Sequence, residues 1–222
     1  GKAPQERVTV IIRNERIAAI ESGFATTVAG APPDATVTVI DLRDRFVLPG
    51  LMDAHVHLQG EPSFSRRRVE RGDRNPPTGA EGAVNAMIHA RRTLNAGFTT
   101  VRDVGSNDES VFAARNAINA GRMIGPRILV SGPAISGTAG HADNLPFDED
   151  GDPQARISHG ICDGPVACRG VVRYNYKLGA DVIKMTPTAG FSDNTGTEPQ
   201  MFEDEMQAVI TTAHMLGLKV AA

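Results

Sequence analysis

The chain has 222 residues, 41% of them hydrophobic, 22% charged and 5% aromatic, a mix found in globular proteins rather than in disordered or membrane-embedded ones. Its 23 Lys and Arg against 26 Asp and Glu leave a formal net charge of -3, so no basic field is available to hold a nucleic-acid backbone. Two cysteines, Cys162 and Cys168, are too few for a disulfide-built scaffold, and whether they pair stays open, since a disulfide would require export.

No run of eighteen apolar residues occurs, so no membrane partner is expected, and the start GKAPQERVTVIIRN lacks the charged-then-apolar order of a secretory signal. A chain opening on Gly1 leaves room for a lost leader, and the compartment stays open. From Val8 to Ile20, VTVIIRNERIAAI alternates apolar and polar residues around an Arg-Asn-Glu-Arg turn, which predicts a β-hairpin buried on one face. Residues 36–48, TVTVIDLRDRFVL, repeat the alternation, and residues 1–48 are expected to supply part of a small β-sandwich.

Pro49-Gly50 interrupts the pattern, and short apolar strands then alternate with helix-length amphipathic stretches. LMDAHVHL, TTVRDVG, RILVSGPAI, DVIKMTP and KVAA read as strands. AEGAVNAMIHARRTLNAG, ESVFAARNAINAGRM, GPVACRGVVRYNYKLGA and EDEMQAVITTAHMLGL read as the helices between them. Strand then helix, repeated, predicts a parallel sheet covered on both faces, either doubly wound or closed as a (β/α) barrel. A complete barrel takes roughly 250 residues, so residues 49–222 are expected to be the first half of one. The remaining half would come from the same or a second chain, because open strand edges invite aggregation. The stretches 58–79 and 137–165 depart from the rhythm as long loops after strands, where substrates bind.

Asp53, His55 and His57 stand at i, i+2 and i+4 of one strand, so their side chains share a face near its C-terminal end, and two imidazoles so placed can share a metal. A bare His-x-His equally fits two hydrogen-bonded histidines. The run Pro49-Gly50-Leu51-Met52-Asp53-Ala54-His55-Val56-His57, continued by AGFTTVRDVG, GPRILVSG and LGADVIKM, resembles the amidohydrolase superfamily, which opens its barrel with Pro-Gly-Leu-Ile-Asp-x-His-x-His. The segment CDGPVACRGVVRYNYKLGADVIK is similar to the imidazolonepropionase-like and prolidase-like branch, with its Xaa-Pro and Xaa-Arg/Lys dipeptidases and ochratoxin-hydrolysing amidases.

The resemblance implies an α/β fold, a (β/α)8 TIM barrel preceded by a small β-sandwich, and a site holding two divalent metal ions, zinc being expected. It implies that His55 and His57 bind one metal and that Lys184 bridges both. A lysine amine is a cation at neutral pH, so as a ligand it must first react with carbon dioxide to give an anionic carbamate. DVIKMTP is apolar around Lys184, although a strand-end lysine can also snorkel to solvent. The implied activity is a metal-dependent hydrolase that cleaves an amide bond in dipeptides or N-acyl amino acids with a metal-activated hydroxide. Two further histidine ligands and a general-base aspartate are then expected beyond residue 222.

Asp53 is expected to orient the histidines from behind, and Asp103 either does the same or pairs with Arg102. His141, in GTAGHADN, is placed to reach a substrate carboxylate or carbonyl, or is a plain loop histidine. His89, His159 and His214 are read as structural or surface residues, and the acidic FDEDGD as a solvated tip lacking the spacing of a calcium loop. The expected partners are a small-molecule or dipeptide substrate and a second copy of the chain in a homo-oligomer. The rival readings are an imidazolonepropionase-like cyclic-amide hydrolase, which would not need the lysine, and a catalytically inactive homologue acting in binding or assembly.

Overall fold

The computed structural model describes residues 3–28, 30–32, 34–60, 79–106, 108–145, 149–190 and 198–222. The chain divides into two compact units, Gly1–Pro49 and Gly50–Ala222.

In the first unit, β1 (Val8–Arg13) and β2 (Arg16–Ser22) form the expected antiparallel hairpin. Asn14 and Glu15 close it at φ 48° and 62°, the pair of left-handed positions that suits the twist of two adjoining strands. A register shift between Ile11 and Ile12 inserts a bulge, and the one-sided burial expected of the hairpin is lost there. Ile11 is buried, whereas Ile12, Ile17 and Ile20 are exposed. The strand expected over residues 36–48 does not form. Val37, Val39, Ile40, Phe46, Val47 and Leu48 are all exposed, and among the described residues none of them joins a sheet. Alternation makes a strand only where a neighbouring strand takes up its backbone N–H and C=O groups.

The second unit carries β3 (Leu51–Val56), α1 (Gly79–Asn95), β4 (Phe98–Asp103), α2 (Ser110–Asn119), β5 (Arg127–Val130), α3 (Pro153–Ser158), α4 (Pro165–Leu178), β6 (Val182–Lys184), α5 (Glu203–Met215) and β7 (Lys219–Ala221). β3, β4 and β5 pair in parallel, as do β6 and β7. The two sheets join where Asp181 N donates to Val130 O and Ile135 N to Lys184 O, each at 2.8 Å, with a parallel bridge between Ile135 and Met185. Each strand therefore lies beside the next in sequence. A doubly wound sheet reverses its order of growth at a switch point, and no reversal occurs here. The fold is α/β and of the TIM-barrel type.

Side chains alternate across these strands, and the alternation separates core from site. Val101 and Asp103 of β4, Ile128 and Val130 of β5, and Ile183 of β6 are buried. The apolar members among them pack with Ala86 and Ala90 of α1, Val111 and Phe112 of α2, Val171 and Val172 of α4, and Val209 and Ala213 of α5. Arg102, Leu129 and Lys184 alternate with these on the opposite face. α4 shows how the sequence builds such a helix. Pro165 opens it, Cys168, Val171, Val172 and Asn175 bury one face at helical spacing, and Gly179 ends it at φ 92°, a conformation that favours glycine.

The stretch read as a loop over residues 137–165 contains helix α3, and the reason is local. Asp152 accepts the Gln154 backbone N–H at 2.8 Å and Pro153 follows it, a helix start signal embedded in the acidic run. That run is a solvated tip only in part, since Asp150 pairs with Arg156. Residues 61–78 of the other long loop, and Pro146, Phe147 and Asp148, lie outside the described residues. Cys162 and Cys168 are joined by a disulfide, and both are fully buried. Among the described residues no helix is long and apolar enough to cross a membrane.

Candidate metal centre

The end of β3 presents His55 and His57 two residues apart on one face, with ring centres separated by 5.3 Å and planes at 70°. Two imidazoles bound through one nitrogen each to a tetrahedral metal, at about 2.0–2.1 Å, would place their ring centres about 5 Å apart. His57 Nδ1 lies 3.0 Å from the carbonyl oxygen of Gly105. Donation to that acceptor puts the proton on Nδ1 and leaves the Nε2 lone pair for a cation. A β carbon at position 105 would sit 3.1 Å from His57 Cε1, tight enough to press the ring aside by a few tenths of an ångström. These residues fit a metal.

Asp53 lies behind the pair, where its Oδ1 accepts the backbone N–H of His55 at 3.0 Å, fixing the strand rather than a ring nitrogen. Asp103 is fully buried. Its two oxygens accept the backbone N–H of Leu58, next to His57, at 2.6 Å and of Gly105, whose carbonyl faces His57, at 3.3 Å. Arg102 points the other way, and its Nε donates to Ala54 O at 2.7 Å. Neighbours in a strand face opposite sides, which explains why Arg102 and Asp103 do not pair.

Desolvation pushes the Asp103 carboxyl up to about 6, against the backbone donors and the nearby His57, which favour the anion. A raised pKa means that the folded chain binds more protons than the unfolded chain between about pH 4 and about pH 6, so stability falls as pH rises through that window. Two pKa units correspond to at most about 3 kcal/mol. In chelator-treated protein, the unfolding free energy of the wild type should therefore fall between pH 4 and pH 7 by more than that of Asp103→Asn. Equal slopes would show that Asp103 does not titrate in this window.

Lys184 ends β6 on the same inner face, partly buried. Its amine is held below the usual lysine range by burial and then by the charge of Arg102. His55 is lowered as well, first by burial and then by His57, Lys184 and Arg102, with Asp53 opposing. The charges of His57, Lys184 and Arg102 thus act on His55, although β3 and β6 are not adjacent strands. From the sequence, Arg102 reads only as a partner for Asp103. Strand alternation alone could have placed it with the histidines, since positions 100, 102 and 104 cannot share the face of Val101 and Asp103.

His141 lies in the loop after β5. Its backbone N–H donates to Gln200 Oε1 at 2.7 Å. Its ring stands against Gly190, where a β carbon would meet Cε1 at 2.5 Å, so the loops that follow β5 and β6 meet at this residue. His89 Nδ1 lies 2.7 Å from Leu58 O, and His159 Nδ1 lies 2.9 Å from Ala155 O. Among the described residues no three His, Cys, Asp or Glu side chains gather as a metal-holding group. The structure sets the two imidazoles against each other, and Lys184 acts on His55 through its charge.

The model of the Amidohydrolase family matches residues 46–222. Ochratoxinase from Aspergillus niger is 28% identical over 181 residues, covering 75% of this chain and 36% of that protein. The crystal structure of a Xaa-Pro dipeptidase with methionine bound in its active site is 35% identical with a TM-score of 0.79, covering 97% of this chain and 51% of the other. A prolidase complexed with N-methylphosphonate-L-proline is 29% identical with a TM-score of 0.77 over the same shares. The chain spans about a third of the length of the curated relative it matches and about half that of these solved structures.

Proposed function

The chain belongs to the amidohydrolase family, and from that premise we propose that it carries the first part of the active site of a metal-dependent hydrolase that cleaves an amide bond in a dipeptide or N-acyl amino acid. The observation that carries this reading is the pair His55 and His57, at a spacing that suits one cation and with His57 Nδ1 committed to Gly105 O. Two divalent metals, zinc foremost, would supply Lewis-acid activation of water and of the scissile carbonyl. His55 and His57 would hold one of them, and Lys184, once carbamylated, would supply an anionic ligand in place of its ammonium group. Asp53 and Asp103 act through the backbone, holding the strand end and the Gly105 carbonyl against which His57 is set. Residues 1–48 are read as part of a small β-sandwich and 49–222 as the first half of the barrel, with the general base contributed from outside this segment.

The relatives that act on Xaa-Pro dipeptides and on ochratoxin support a substrate with an amide nitrogen next to a carboxylate-bearing carbon. Metal analysis of the full-length protein, joined to a hydrolysis screen over dipeptides and N-acyl amino acids, tests the reading. A full-length protein that binds no divalent metal and hydrolyses none of them would return the inactive, binding homologue instead.

His141 is assigned to the substrate carboxylate rather than to a metal, since its loop stands on glycines and side-chain hydrogen bonds while the metal donors stand on strands. His141→Ala should raise KM about tenfold, the loss of one charge-assisted hydrogen bond, with metal content unchanged. Metal loss on that substitution would make His141 a ligand.

A further inference from the structure

We propose that Asp163, held by the Cys162–Cys168 disulfide, is a positioning residue that latches the loop carrying His141 and so sets substrate affinity. The proposal rests on the role given to His141 above.

Asp163 Oδ1 accepts the Thr138 backbone N–H at 3.0 Å, and Oδ2 accepts Thr138 Oγ1 at 2.6 Å and Arg156 Nη2 at 2.5 Å. Arg156 Nη2 also donates to Thr138 Oγ1 at 2.8 Å, so three side chains close on one another. Thr138 precedes His141 by three residues. The backbones beneath them run together as well: Ser136 N donates to Gly160 O at 3.0 Å and Cys162 N to Ser136 O at 2.9 Å. His141 itself is held from the other side by Gln200.

The Asp163 side chain is 56% exposed, and pairs between exposed charges contribute little unless their geometry is fixed in advance. The disulfide fixes it. It ties Cys162 to Cys168 in the first turns of α4, closing a short ring that contains Asp163. Gly164 N donates to Glu205 Oε1 at 2.6 Å, which fastens the same ring to α5. Asp163 thus stands on a backbone that has little freedom to move, and its carboxylate meets Thr138 with that entropy already removed. The hydrogen-bond partners of His55 and His57 are Asp53 and Gly105, outside this cluster, so a latch that loosens should alter substrate binding and leave the metal alone.

The test uses the full-length, metal-loaded protein. Alkylation of the unreduced, denatured chain should label neither Cys162 nor Cys168, and labelling of either would overturn the proposal. Asp163→Asn and the double variant Cys162→Ala/Cys168→Ala should each speed amide hydrogen exchange across residues 137–145 by about tenfold, with the strands unaffected. Both should raise KM by several-fold to about tenfold, with kcat and metal content within about twofold of the wild type. In a His141→Ala background the same substitutions should add no further rise, because the residue they position is gone. Unchanged exchange in both variants would overturn the latch. Faster exchange with unchanged KM, where His141→Ala does raise KM, would overturn its link to affinity. An unchanged KM in His141→Ala alone would instead remove the reading of His141, a result the exchange data keep separate.

Discussion

Replacing Lys184 with alanine is expected to release at least one metal from the full-length protein and to lower kcat/KM by roughly three orders of magnitude or more, about 4 kcal/mol of transition-state stabilisation. The reasoning starts from its place on the inner face at the end of β6, where burial and the Arg102 charge hold the amine below the usual lysine range. A lowered amine pKa enlarges the neutral fraction, the form that adds carbon dioxide to give the carbamate and a proton. Such a carbamate would supply the negative charge that two neighbouring cations need in a low-dielectric pocket. Lys184→Arg should fail as completely, because a guanidinium stays cationic and forms no carbamate. Short carboxylic acids should restore part of the activity of the alanine variant by standing in for the lost bridge. A carbonyl carbon signal from labelled bicarbonate should appear in wild-type protein and be absent from both variants. Full activity in Lys184→Ala would end the two-metal reading.

His55→Ala and His57→Ala should each cost the metal held at the end of β3, with a fall in turnover of similar size to that of Lys184→Ala. Their pH behaviour gives a finer check. His55 is lowered from the ordinary histidine value by burial and by its cationic neighbours. A lowered pKa keeps the imidazole neutral, and so able to bind a cation, at more acid pH than an unperturbed histidine allows. Metal retention by the wild type should therefore persist below the ordinary histidine pKa near 6.5 before acid displaces it. Arg102→Met removes one of the charges that lower His55, and the acid limit should move upward. A limit that stays in place would show that Arg102 does not act on His55. Gly105→Ala should weaken metal binding without touching a ligand, by crowding the His57 ring.

The parts of the fold that were legible in the sequence are those set by short-range periodicity. The spacing of Cys168, Val171, Val172 and Asn175 marks a helix face by itself, and the run from Leu51 to His57 marks a strand with two imidazoles on one side. The strand misread over residues 36–48 has the right alternation, but pairing depends on a neighbour that alternation does not supply. Helix α3 was hidden because its apolar content is low, although Asp152-Pro153 signals its start. The candidate site divides in the same way. His55 and His57 follow from position in one strand, whereas the approach of Arg102 to Lys184, and the turning of Asp103 toward Leu58 and Gly105, depend on how strands lie beside one another.

The strand order of the second unit bears on how such a site can come into being. Because β3 to β7 lie side by side in the order of synthesis, each strand emerging from the ribosome finds its partner already made. His57 can thus be set against Gly105 once β4 has docked, well before Lys184 is translated. A chain stalled between those two points would hold the imidazole pair without its lysine, and that nascent form is where a stray cation could first be captured.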